Sequence, residues 1–207
     1  DRIDVTLHAD CETITVKDNG RGIPVDMHGK YKKPALELIL TTLHAGGKFE
    51  SKNYYHSGGL HGVGASVVTA LSDKFTVRVK RDGAEWEQTF SQGKASSKLK
   101  KLGNARGSGT TIEYHPDREI FPSIKHDPKL IAERLEAKAY LHKGLTVTFA
   151  NEAKGGESFN WHYEDGIRAY LDKLLTTGTK KRVPAEVFYA EREGDAPRIE
   201  CALAWTE

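Results

Sequence analysis

The sequence predicts one α/β domain in two layers: a mixed, largely antiparallel sheet of about eight strands with helices packed over one face. Three observations carry that expectation. Short apolar alternations bounded by turn residues recur along the chain, beginning with Ile3, Val5 and Leu7. Between them lie segments whose apolar side chains follow helical spacing, such as Leu36, Ile39, Leu40 and Leu43. With 207 residues and 38% hydrophobic content the chain can bury one substantial core, so a single domain over 1–207 is the default.

The first alternation continues at Ile14 and Val16, and Ala9-Asp10-Cys11-Glu12 supplies the turn of a β-hairpin. Asp18 closes the second strand. Asn19-Gly20 then gives a tight turn and Gly22 a second flexible point, which lets backbone pass close to a flat ligand. Read by itself, Asp-Asn-Gly is first of all an ordinary hairpin turn. Residues 29–33 are polar and form a loop, after which Pro34 suits the first position of a helix running to Leu43. His44 to Ser57 carries too little apolar surface to order itself strongly without a ligand. From Ser57 to Ala65 four glycines and a histidine run straight into the apolar segment Ser66 to Leu71. Glycines admit a ligand close to the main chain, and the following helix offers unpaired N–H groups and a favourable dipole to an anion. Such a stretch reads as a phosphate cradle or as a glycine hinge before a core helix, and spacing alone does not separate the two.

Asp73 to Lys80 and Trp86 to Ser91 form a second hairpin around Arg81-Asp82-Gly83. Residues 92–106 are basic, with the densest charge run from Lys94 to Lys101, and read as a solvated surface strand. Gly107 to Tyr114 is a strand after a glycine turn. Asp127 caps a helix with Pro128 in its first turn and Leu130, Ile131, Leu135 and Ala139 on one face, ended by Gly144. Leu145 to Ala150 and Ser158 to Tyr163 pair as strands, Gly166 to Leu175 is a further amphipathic helix, and Val187 to Ala190 with Ile199 to Trp205 make a closing hairpin. None of the elements from Asp127 onward holds a chemical constellation.

Composition excludes several classes. Thirty-one basic against 29 acidic residues leave a net charge of +2, too small to argue for nucleic-acid contact by itself. Cys11 and Cys201 make neither a metal-ligand spacing nor a disulfide framework, which fits a reducing cytosol, and the lone histidines call for no metal site. No apolar run has the length of a membrane span, and the first residues are no signal peptide. The G-x-x-x-x-G-K-[ST] pattern of a Walker-type nucleotidase is absent.

Three segments, Asp18-Asn19-Gly20-Arg21-Gly22-Ile23-Pro24, the HAGGKF run at 44–49 and the SGGLHGVGASVV run at 57–68, together resemble the ATP-binding domains of the B subunits of DNA gyrase and topoisomerase IV. That resemblance implies the two-layer fold of the GHKL (Bergerat) ATPases. In it the Asp18 carboxylate accepts a hydrogen bond from the exocyclic amine of adenine, and Thr110 shares an ordered water with that aspartate. Guanine would set a carbonyl against the carboxylate, so one residue serves as selector. Gly22 and Ile23 border the base, with Ile39 and Leu43 as a wall. Lys48 and Tyr54 match positions near the phosphates or ribose, although a lysine and a tyrosine on a loop are also ordinary surface residues. Gly59, Leu60, His61, Gly62, Val63, Gly64 and Ala65 form the lid whose amides hold the phosphates. Arg21 and Pro24, with Asp18 and Ile23, form the rim where aminocoumarins overlap the adenine pocket. Some relatives carry a basic residue near the position of Glu87, where this chain is acidic.

The same resemblance implies features outside the sequence. A helix before Asp1 would carry the glutamate that activates water and the side chain that binds Mg²⁺, and an N-terminal arm would dimerise the B subunits when ATP binds. A lysine for the terminal phosphate would come from a transducer domain after Glu207. The expectation is therefore a domain that lacks its first helix, binds ATP without turning it over, and holds neither a catalytic base nor a metal ligand within 1–207. The whole protein would act in the cytoplasm on DNA, in a heterotetramer with the DNA gyrase A subunit, using ATP to drive supercoiling. Topoisomerase IV is the alternative, since the two enzymes differ in DNA wrapping by a partner subunit. A sensor-kinase or chaperone ATPase of the same superfamily, or a non-catalytic domain that keeps the fold, also remain; the HAGGKF run and the hairpin-rich second half argue against the kinase.

Overall fold

The computed structural model describes residues 1–43, 63–178, 183, 186–192 and 199–207. Strands β1 (Arg2–Leu7) and β2 (Ile14–Asp18) form the expected first hairpin. Its turn is fixed by Asp10, whose Oδ1 accepts the amides of Glu12 and Thr13 and whose Oδ2 accepts the Thr13 hydroxyl at 2.6 Å. Burial works against the Asp10 charge, but these hydrogen bonds hold its carboxyl down to about 2. Helices α1 (Ala35–Thr41) and α2 (Gly64–Ala70) follow, then β3 (Ser72–Arg81), β4 (Ala84–Ser91), β5 (Lys94–Ala95), β6 (Lys100–Asn104) and β7 (Gly109–Pro116). The rest comprises α3 (Pro128–Leu141), β8 (Thr146–Asn151), β9 (Ser158–His162), α4 (Gly166–Thr177), β10 (Phe188–Arg192) and β11 (Ile199–Leu203).

The main sheet has the order β5-β4-β3-β7-β2-β1-β8-β9, with β6 also pairing with β4. Every pairing is antiparallel except β1 with β8, as expected of a mixed, largely antiparallel sheet. Its register explains why helices cover one face. Residues directly opposite one another point the same way. One row runs Leu7, Ile14, Tyr114, Phe75, Phe90 and the next Val5, Val16, Ile112, Val77, Gln88, so the apolar side chains gather on a single side. On that side Leu36 and Leu40 of α1 pack against Phe75, Val77, Val79 and Phe90. Ala139, Ile131 and Leu135 of α3 cover Val5, Leu7, Val147, Phe149 and Trp161. Leu40 is completely buried, a contribution of about 1.5–3 kcal/mol relative to exposure. The intervening positions, Lys17, Thr111, Arg78 and Glu87, line the other face, where Arg78 Nε meets Glu87 Oε2 at 2.6 Å.

Several expectations change in detail. The closing hairpin, β10 with β11, is a separate two-stranded sheet, while the basic stretch adds β5 and β6 to the main sheet and brings it to nine strands. Alternation marks a strand without recording which edge it joins. All five residues of β6 are exposed, in keeping with a solvated surface strand. Pro34 stands just outside α1 with ψ 140°, so Ala35 is the first helical residue. Thr42 is already extended, and α1 stops short of Leu43. α2 begins two residues earlier than Ser66. Asp127 caps α3 as expected, its Oδ1 accepting the Lys129 amide at 2.9 Å. Leu130 leaves the packed face, half exposed, and Ala132 takes part in its place. Among the described residues no helix is long and apolar enough to cross a membrane.

Candidate functional site

The site grows from the end of β2. Asp18 stands opposite Ile3, whose side chain packs on the core beneath α3, so the carboxylate lies on the helix-covered side of the sheet. Lys17 pairs with Thr111 of β7, which sets the buried Thr110 beside Asp18. Asp18 Oδ1 accepts two backbone amides, Gly20 N at 2.8 Å and Thr110 N at 3.3 Å. Among the described residues nothing hydrogen-bonds Oδ2. An ionised carboxylate has about four acceptor positions on its two oxygens. One oxygen is used to hold the side chain still, and among the described residues the other keeps its acceptor capacity.

The backbone around this carboxylate depends on three glycines. At Gly109, with φ +149°, an added Cβ would overlap the Asp18 carbonyl oxygen and stand 3.3 Å from Asn19 Cα. At Gly20 it would stand 2.8 Å from Asp18 Oδ1. At Gly22, with φ +75°, it would stand 2.7 Å from the Lys80 carbonyl oxygen. The start of the turn is tied to β1, where Asn19 Oδ1 accepts the Arg2 amide at 2.9 Å. Its far end is tied to β3, where Arg81 Nη1 donates to the Gly22 carbonyl at 2.9 Å.

Of the residues expected from sequence, Asp18, Thr110 and Gly22 meet in this way. Ile23 is half-buried against the core beneath α1, and Ile39 is half-buried on α1 itself, while Leu43 is 61% exposed. Arg21 is exposed and Pro24 half-buried on the same turn. Val63 caps α2, its carbonyl accepting Val67 N at 2.9 Å and Ser66 Oγ at 3.0 Å, and Gly64 and Ala65 form the exposed first turn. Lys48, Tyr54, Gly59, Leu60, His61 and Gly62 lie outside the described residues. Two contributors were not expected. The sequence marks Gly109 only as part of a glycine turn, although a glycine opening a β-branched strand also signals close backbone approach. Local pattern marks Arg81 only as part of a hairpin turn, and its contact spans 59 residues that no such pattern records.

Glu87, the acidic position on the expected basic rim, is paired with Arg78 on the opposite face of the sheet. A cavity of about 230 Å³ lies elsewhere, between α2 and the segment after β7, lined by Leu71, Tyr114, Phe121, Ile124 and His126. Neither Asp18 nor Thr110 borders it, and its lining is mostly apolar. Among the described residues no group of three or more His, Cys, Asp or Glu side chains is placed to hold a metal.

Among the described residues the Asp18 carboxylate is held through one oxygen only, on the helix-covered side of the sheet and flanked by bare backbone, an arrangement able to accept a hydrogen bond from a flat ligand. The residues present therefore fit an adenine ring. Residues 1–120 match the family described as histidine kinase-, DNA gyrase B-, and HSP90-like ATPases, and the chain belongs to that family. It is 45% identical over 205 residues to the B subunit of DNA topoisomerase 4 from Pseudomonas aeruginosa, covering 98% of this chain and 32% of that protein. The B subunit of DNA gyrase from Haloferax volcanii is 42% identical over 211 residues, covering 100% of this chain and 32% of its own length. The chain thus spans about a third of these relatives. Among solved structures, the 43K ATPase domain of Thermus thermophilus gyrase B, in complex with an aminocoumarin, superposes with a TM-score of 0.82 at 33% identity, over 99% of this chain and 51% of that one. The topoisomerase IV ATP binding domain of Francisella tularensis, in complex with a small-molecule inhibitor, gives 0.75 at 38% identity, over 94% and 50%.

Proposed function

We propose that this chain is the ATP-binding domain of a DNA gyrase B subunit, whose whole protein couples ATP binding and hydrolysis to DNA supercoiling by double-strand passage. The observation that carries the reading is Asp18, held through Oδ1 with Oδ2 to spare. The free oxygen accepts the exocyclic amine of adenine, and Thr110 stands beside it for the shared water. Gly22 and Ile23 border the base, Ile39 backs it, and Arg21 with Pro24 make the rim open to an aminocoumarin. Lys48, Tyr54 and the Gly59 to Gly62 run, with Val63, Gly64 and Ala65 after them, are the residues assigned to the phosphates. Mg²⁺ would neutralise phosphate charge during hydrolysis, and no described side chain is assigned to it. In the cytoplasm the whole protein would have as partners DNA, the DNA gyrase A subunit, and another copy of the B subunit. A topoisomerase IV B subunit is the second reading, favoured by the 45% identity to such a protein.

Calorimetric titration with ATP and GTP tests the pocket. Losing a charged acceptor costs about 1.5–3 kcal/mol, so Asp18→Ala should weaken ATP binding by about 10- to 100-fold. Equal affinity of the unmutated chain for ATP and GTP would refute the assignment.

A further inference from the structure

The turn that displays Asp18 runs further than the carboxylate needs. β7 lies between β2 and β3 in the sheet, so to reach β3 the chain after Asp18 must pass the end of β7. It crosses at Gly109, which has no side chain to obstruct it, and comes down on the end of β3. There Gly22 sits against Lys80 and against Val79, whose Cγ1 would stand 3.0 Å from an added Cβ. The Gly22 carbonyl then accepts Arg81 Nη1 at 2.9 Å. The guanidinium is aimed from its own hairpin, with Nε 3.3 Å from Asp82 Oδ2 and the side chain only 29% exposed.

We propose that Arg81 is a positioning residue for the Asp18 pocket: by holding the Gly22 carbonyl on β3 it fixes the 18–22 turn in the form where Oδ1 is bound by Gly20 and Thr110 and Oδ2 is left for the ligand. The ligand half of this statement rests on the adenine-nucleotide reading above. A turn with glycines at 20 and 22 has unusual freedom to lose, so it needs a long-range tie. A hydrogen bond from a charged donor is the stronger kind. Arginine suits the task because its planar fork serves Gly22 and Asp82 at once, where lysine offers a single point charge on a shorter reach. Arg81 acts through the backbone of the turn and touches no reacting group.

Amide hydrogen exchange at Gly20 and Ile23, measured by NMR in the parent, Arg81→Met and Arg81→Lys, together with ADP titration, tests it. Arg81→Met should speed exchange at Gly20 by about tenfold or more and weaken ADP binding about tenfold, with the melting temperature little changed. Arg81→Lys should recover part of both. Faster exchange confined to the β3–β4 hairpin, with Gly20 unaltered, would overturn the proposal. So would a loosened turn that binds ADP as tightly as the parent. A parent chain with no affinity for ADP would overturn the nucleotide reading and the ligand half with it, whereas slower Gly20 exchange in that parent than in Arg81→Met would still uphold the tie.

Discussion

Gly109→Ala is the most informative single perturbation, because it adds one methyl group at the point where β7 passes beneath the Asp18 turn. The backbone there has φ +149°, a conformation that costs a side-chain-bearing residue about 1–3 kcal/mol. The new Cβ would also overlap the Asp18 carbonyl oxygen, which is main chain and cannot rotate away. The turn must therefore rise from β7, lengthening the Thr110 N to Asp18 Oδ1 bond, already 3.3 Å, with the loss of a further 1–2 kcal/mol or so. The sum is about 2–5 kcal/mol of folding free energy, together with weaker nucleotide binding. Gly107→Ala is the control: φ there is +75°, but nothing lies within 4 Å of the added atom, so only the backbone cost of about 1 kcal/mol applies. Urea unfolding of the two variants and the parent separates strain from contact. If Gly109→Ala costs no more than Gly107→Ala, the close approach does not constrain the turn and the reasoning fails.

Two further outcomes follow from other parts of the molecule. His115 holds Asp73 Oδ1 at 2.7 Å through Nδ1 and faces Glu12 Oε2 at 3.3 Å through Nε2, with Arg118 on Glu12 and His126 also near. Burial pulls its pKa down, but the hydrogen bonds and charges of Asp73 and Glu12 more than reverse this and hold it above the ordinary 6.5. Because the folded value is the raised one, the stabilisation is fully present below about pH 6.5 and is lost as pH climbs through the folded pKa. The stability difference between parent and His115→Gln should therefore shrink with rising pH; a difference flat from pH 6 to 9 would contradict the bridge. Asp127→Ala removes the acceptor for the first amides of α3 and should cost about 1 kcal/mol in denaturant midpoint experiments, with an unchanged midpoint counting against the cap.

Much of the fold, and several residues of the Asp18 turn, could be read locally. The alternation at Ile3 to Val16 gave the first hairpin, Asp82-Gly83 gave the tight turn of the second with both residues at positive φ, and Asp127-Pro128 gave the start of α3. These are effects of neighbours within a few residues, where backbone preference and side-chain period act directly. Asp18 and Thr110 came from motifs, and so did Gly22, because a short run of particular residues is what the chemistry of a pocket demands.

What the sequence by itself determined, then, was the identity of the elements, the one-sided burial implied by their periods, and the motif residues that meet at the Asp18 turn. Tertiary structure alone decided how those residues are held. Gly109 matters because β7 inserts between β2 and β3, and Arg81 because β3 ends where the turn comes down. The edge positions of β5 and β6, and the separation of β10 and β11 from the main sheet, are also settled only there. Each depends on contacts between segments tens of residues apart, where the deciding energies are close approach and a single long-range hydrogen bond. Periodicity carries no record of either.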